Sequence, residues 1–184
     1  MGLIRFITVD RAIRAVRVID ALNSHIGRAV AWAALAMVLI QFTVVVMRYV
    51  FAIGSIAMQE TIWYLHAILF MAGAGYTLLH DGHVRIDVIY RQATDSTRAW
   101  IDLVGSLVFL LPLTLLTLWL SAGYVTDSWS VLEASSDVGG LPLVFALKTV
   151  IWVFAVLLGL QGLALAARSV LTLSGRSVPP PPVA

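Results

Sequence analysis

The chain has 184 residues, 60% of them hydrophobic and 12% charged, with a net charge of +2 and a mean hydropathy of +0.94. A soluble domain is about a quarter charged, so this composition excludes a surface made for water and points to an integral membrane protein. The lack of cysteine excludes disulfides, thiolate nucleophiles and Cys-based metal sites, and leaves the compartment open.

Residues 1–27 form a basic arm. Phe6, Val9, Ile13, Val16 and Ile19 fall at helical spacing, with Arg11, Arg14 and Arg17 roughly opposite. This predicts an amphipathic helix lying in the membrane interface, its guanidinium groups toward anionic lipid. Arg5 and Asp20 intrude on that pattern, and a basic extension that only sets topology is the alternative. The first long apolar run begins near Ala29 and can span a bilayer, so a retained helix is expected here and not a cleaved signal sequence.

An all-α transmembrane domain, residues 28–170, follows, with four spans expected at about 29–51, 58–79, 101–123 and 142–168. The first covers ~33 Å at the helical rise, enough for a ~30 Å hydrocarbon core. Gly54-Ser55 breaks the chain, and Gln59-Glu60 opens the second span. Arg48 and Glu60 then flank a short turn at one membrane level. They either pair with each other or snorkel separately to water.

Ala67, Ala72, Gly73, Ala74 and Gly75 in the second span allow another helix to approach closely. A polar island from Leu79 to Arg91 separates the two hairpins. In the third span Pro112 predicts a kink, with the freed carbonyl satisfied by neighbours. The loop beyond it carries Asp127, Trp129, Glu133 and Asp137 and no basic residue. Gly139-Gly140-Leu141-Pro142 leads into the fourth span, with Pro142 suited to a first helical position. Lys148 sits ~9 Å along that helix. Residues 171–184 carry four consecutive prolines, Pro179 to Pro182, and are expected to be a disordered tail.

Arg5, Arg11, Arg14, Arg17, Arg28, Arg85, Arg91, Arg98, Arg168 and Arg176 fall on one side of the spans. Only Arg48 and Lys148 fall on the other. By the positive-inside rule both termini are cytoplasmic.

Little in the chain supports catalysis. His80 and His83 are interrupted by Gly82 and have no evident third ligand for a metal. His66 has no histidine partner in another span to hold a haem. The first span has no carboxylate to act as a proton site, and no interrupted polar helices mark a substrate site at the midplane. Gln41 and Gln161 read as helix–helix hydrogen bonds. No enzyme, cofactor, metal or nucleic-acid partner is therefore expected. A stand-alone small transporter or channel, and a haem or quinone anchor of a redox complex, are the alternatives to a membrane scaffold.

Gly82-His83-Val84-Arg85-Ile86-Asp87 resembles the signature after the second span of the small, four-span permease subunit of tripartite ATP-independent periplasmic (TRAP) transporters. Arg48-Tyr49-Val50-Phe51 with Gln59-Glu60 resembles that family's first hairpin. Trp129 to Glu133, Ser135, Gly139-Gly140-Leu141-Pro142 and Lys148 resemble its last hairpin, and Gln161-Gly162-Leu163-Ala164 fits the exit of the fourth span. The resemblance covers roughly residues 15–170. It implies a multi-pass protein of the bacterial inner membrane with two partners, a large multi-span permease and a periplasmic solute-binding protein. It also implies sodium-coupled uptake in which the large subunit binds solute and the small one supports it. Gly82, His83, Arg85 and Asp87 would then make a subunit contact. Trp129, Glu133, Ser135, Gly139, Gly140, Pro142 and Lys148 would lie at the docking side. The plainer readings are an ordinary positive-inside loop whose Gly82 merely ends a helix for the first group, and a solvated loop with local ion pairs for the second.

Overall fold

A computed structural model of the chain describes residues 2–83, 90 and 93–176, with side chains from residue 9 onward. The elements are α1 (Gly2–Val50), α2 (Ile56–Leu79), α3 (Asp95–Val104), a π-helical segment (Gly105–Leu110), α4 (Leu111–Ser130) and α5 (Val144–Leu173). Four helices are long and apolar enough to cross a membrane: Val9–Val50, Ile56–Leu79, Asp95–Ser130 and Val144–Leu173. The expected number of spans is present, but their ends lie elsewhere. The third span has 36 residues, or ~54 Å, well over the length that a ~30 Å core needs.

The arm and the first span form one helix. α1 has 49 residues, ~73 Å at the helical rise, and it runs through residues 27 and 28 without a break. Val16 is buried and Ile13 and Ile19 are half-buried, while Arg11, Arg14 and Arg17 are exposed. Part of the face read as lipid-seeking is thus covered by the protein itself. Asp20, which spoils the amphipathic pattern, belongs to that covered face.

Local chemistry sets the other helix ends. The Ser55 hydroxyl accepts from Met58 N–H at 3.4 Å and caps α2, and Thr94 caps α3 through Thr97 N–H at 3.3 Å. α2 ends with Gly82 N–H on Thr77 O at 2.8 Å and Asp81 N–H on Leu78 O at 3.3 Å. α5 ends the same way, with Arg176 N–H on Leu171 O and Gly175 N–H on Thr172 O. Both are Schellman closures. The left-handed residue is Asp81 (φ +55°) in the first and Gly175 (φ +71°) in the second. The fourth helix thus stops at Ser174-Gly175, a turn later than expected, and the proline run lies outside the described residues. Pro142 also departs from expectation, lying two residues ahead of α5 instead of at its first position.

Pro112 does not break the third span. The helix widens before it, and Leu111 N–H reaches back to Ser106 O, five residues away. A proline ring crowds the carbonyl four residues earlier, and a π turn moves that carbonyl aside while the rod continues.

α5 is the centre of the bundle, and α1, α2 and the third span all pack on it. Its buried positions include Ala155, Gly159, Gly162, Ala164 and Ala166, whose small size lets neighbours approach closely. The third span runs antiparallel to it: Leu110 faces Gly162, Thr114 faces Gly159, and Trp152 Nε1 donates to Ser121 Oγ at 3.2 Å. Trp32, Phe42, Trp63, Phe70, Phe109 and Trp119 point outward and are mostly exposed. Such surface is a liability in water and suits hydrocarbon. The start of α1 and the end of α5 share one end of the bundle, called here the terminal end. The loops at 51–55 and 131–143 share the other, the hairpin end.

Candidate functional sites at the two ends of the bundle

At the hairpin end the second outer loop is fastened to α2. Glu60 lies one turn into that helix and is 6% exposed. Its carboxylate accepts from the Ser135 hydroxyl and, at 2.6 Å, from Leu141 N–H. Ser135 N–H donates to Leu141 O at 3.0 Å, and its hydroxyl accepts from Asp137 N–H at 3.2 Å. The loop therefore closes on itself over a single carboxylate. Gly139 turns it with φ +83°. Gly140 must lack a side chain, since a Cβ there would stand 2.4 Å from Ser135 Oγ and 2.7 Å from Glu60 Oε1.

Arg48 takes no part. It is exposed, and the structure brings Glu60 to Ser135 and Leu141 instead. Burying Glu60 is supported by two hydrogen bonds to the charged carboxylate, which are stronger than neutral ones.

The same loop is pinned to α5 by a second pair. Lys148 Nζ donates to Glu133 and stands 3.9 Å from the centre of the Tyr124 ring, a cation–π distance. The Lys148 hydrogen bond holds the Glu133 carboxyl below the usual carboxylate range. Trp129 Nε1 donates to Thr149 Oγ1 at 2.8 Å, and its ring meets Phe145 edge-on at 4.7 Å. Of the residues expected at this side, the structure gathers Glu60, Trp129, Glu133, Ser135, Gly140 and Lys148 into one assembly. Pro142 and Asp137 are exposed at its rim.

The terminal end holds a network that sequence reasoning missed. Asp20 of α1 pairs with Arg168 of α5, their side chains 4% and 17% exposed. Gln161 Nε2 donates to Asp20 Oδ1 at 3.2 Å, and Asn23 Nδ2 donates to Gln161 Oε1 at 2.8 Å. Asn23 packs on Gly75 of α2, so three helices meet at one buried polar cluster. Gln161 is the helix–helix hydrogen bond expected of it; Gln41 is exposed. The signal was a lone acid in an apolar stretch, with a lone arginine near the end of another helix.

Of the loop signature, Gly82 and His83 are described, and Arg85 and Asp87 lie outside the described residues. Gly82 serves the Schellman closure by close approach, since a Cβ would stand 3.0 Å from Thr77 Cγ2. His83 is exposed. At the start of the third span Tyr90 OH donates to Asp102 Oδ2 at 2.8 Å, and Arg98 Nε donates to Tyr90 O at 3.1 Å. Arg11, Arg14 and Arg17 are not brought to these clusters and stay on the outer side of α1.

Chemically, the clusters tie elements together. The carboxylates of Glu60 and Asp20 receive donors from distant parts of the chain, and that of Glu133 from the helix that follows its loop. Residues 37–173, more than half of the chain, match the model of the family described as tripartite ATP-independent periplasmic transporters, DctQ component. No curated protein and no solved structure matches the chain.

Proposed function

The chain belongs to the DctQ component of the tripartite ATP-independent periplasmic transporters, and from that premise we propose that it is the static frame of an ion-coupled uptake system. As a member it is a non-enzymatic, multi-pass membrane component of a complex with a large permease, DctM, and a periplasmic binding protein. The proposal adds a division of labour. The large permease binds solute and sodium and moves, and this chain holds the permease's scaffold and widens the docking face for the binding protein.

One observation carries this reading. The central helix α5 is locked at both ends, by Lys148–Glu133 and by Arg168–Asp20, and the sides of the bundle between the locks are apolar. A helix held by two ion pairs is a poor moving part and a good wall.

The arginine distribution supports an orientation with the terminal end cytoplasmic and the hairpin end periplasmic. In that placement the loop closed on Glu60 is the face offered to the binding protein. Gly82, His83, Arg85 and Asp87 belong to the cytoplasmic contact with the large permease. Arg11, Arg14 and Arg17 attract anionic lipid, at up to ~1 kcal/mol each near the surface.

The test is sodium-driven uptake in proteoliposomes containing the large permease and the binding protein, with and without this chain. Uptake should require it. Full uptake in its absence removes the frame role, and a substitution here that alters which solute is carried, with the complex intact, removes the division of labour.

A further inference from the structure

We propose that a groove between α1, α2 and α5 at the terminal end holds one acyl chain of an anionic phospholipid, whose headgroup rests at His83 and Arg28. The groove has a volume of about 630 Å³. Val30, Leu69, Phe70, Phe154 and Leu158 supply apolar walls, and Gly73 leaves a gap, with nothing within 4 Å of where its Cβ would stand. Thr77 and His83 line it only toward the terminal end. The groove thus has an apolar body and a polar mouth, the shape of an amphiphile.

Its length selects the occupant. Along α2 the lining runs from Leu69 to Thr77, or ~12 Å at the helical rise, with His83 just past the helix end. That is close to half of a ~30 Å hydrocarbon core, the depth of one leaflet. A partner's membrane-spanning helix needs a seat about twenty residues long, which this groove does not provide. A single acyl chain fills one leaflet and stops.

The mouth selects the headgroup. Arg28 is exposed next to Gly27, which lines the groove. Side chains on a helix lean toward its N-terminus, so the guanidinium is carried toward the polar mouth. Basic groups at the mouth of an interhelical groove attract phosphate headgroups, and a zwitterionic lipid gains less from them. The site is separate from Arg11, Arg14 and Arg17, and it shares only His83 with the contact assigned to the large permease.

The experiment uses the full chain co-purified with its large permease, delipidated in mild detergent and titrated with phosphatidylglycerol or phosphatidylethanolamine. Native mass spectrometry counts the lipids retained. The wild type should keep one phosphatidylglycerol, at about one tenth the concentration at which it keeps phosphatidylethanolamine. Gly73→Phe should fill the groove and lose that lipid while the large permease still co-purifies. Arg28→Gln with His83→Gln should keep a lipid and lose the preference. Unchanged retention in Gly73→Phe overturns the proposal, as does loss of the large permease with the lipid count unchanged, which would make the groove a protein seat. If Gly73→Phe fails to insert, Ala31→Phe fills the same groove from α1, and unchanged lipid retention there overturns the proposal equally.

Discussion

Replacing Arg168 with methionine tests whether the terminal network holds the bundle together. The substitution keeps much of the aliphatic bulk and removes the guanidinium. It leaves Asp20, whose side chain is 4% exposed, as a buried carboxylate with the Gln161 amide as its remaining donor. Removing one partner of a buried pair costs ~3–5 kcal/mol. The Gln161 hydrogen bond offsets part of this, so the lower end, ~3 kcal/mol, is expected. That corresponds to a shift of ~150-fold in the unfolding equilibrium. Asp20→Asn added to Arg168→Met removes the stranded charge and should restore most of the loss, because the desolvation penalty and not the lost attraction dominates. The assay is reversible unfolding in mixed micelles followed by tryptophan fluorescence, run as a double-mutant cycle. A cost below ~1 kcal/mol for Arg168→Met, the range of an exposed pair, would refute the reasoning. So would a double variant no more stable than the single one.

Three further outcomes are expected. Glu60→Ala removes the acceptor of both Ser135 and Leu141, and Gly140→Ala drives a methyl into that same contact. Each should raise hydrogen exchange across residues 131–143 by at least ~10-fold while leaving α5 protected, and no change in the loop would show that Glu60 does not hold it. Because the Glu133 carboxyl is held below its unfolded value, its pairing with Lys148 stabilises the loop above the ordinary carboxylate range. That contribution fades as pH falls through the folded value, so loop protection, corrected for the pH dependence of intrinsic amide exchange, should fall with acidification in the wild type and fall less in Glu133→Gln, where Glu60 still holds the loop. Single cysteines placed in this cysteine-free chain should react with an impermeant thiol reagent in intact cells at Asp137 and not at Arg176; the reverse pattern inverts the orientation.

How much of this was legible in the chain differs from feature to feature, for a physical reason. Four spans, the break at Gly54-Ser55, and the family were all readable, because length, hydropathy, capping and motif order are local properties of consecutive residues. The sequence also marked the residues of the outer loop, from Trp129 to Lys148. It did not say what they touch. Arg48 and Glu60 lie twelve positions apart across a turn and were natural candidates for a pair. Glu60 instead faces a loop more than seventy residues onward, because the rotation of α2 about its axis turns it toward α5 and away from Arg48. Each residue along a helix rotates the side chain by ~100°, and which face turns inward is decided only when neighbouring helices pack. The same holds for Asp20, which looked like a flaw in an amphipathic arm. It becomes half of a buried ion pair because α5 stands beside α1, an adjacency no local pattern encodes. Pro112 shows the limit from the other side: the sequence marked the stress, and only the structure shows the π turn ahead of it that moves the crowded carbonyl aside.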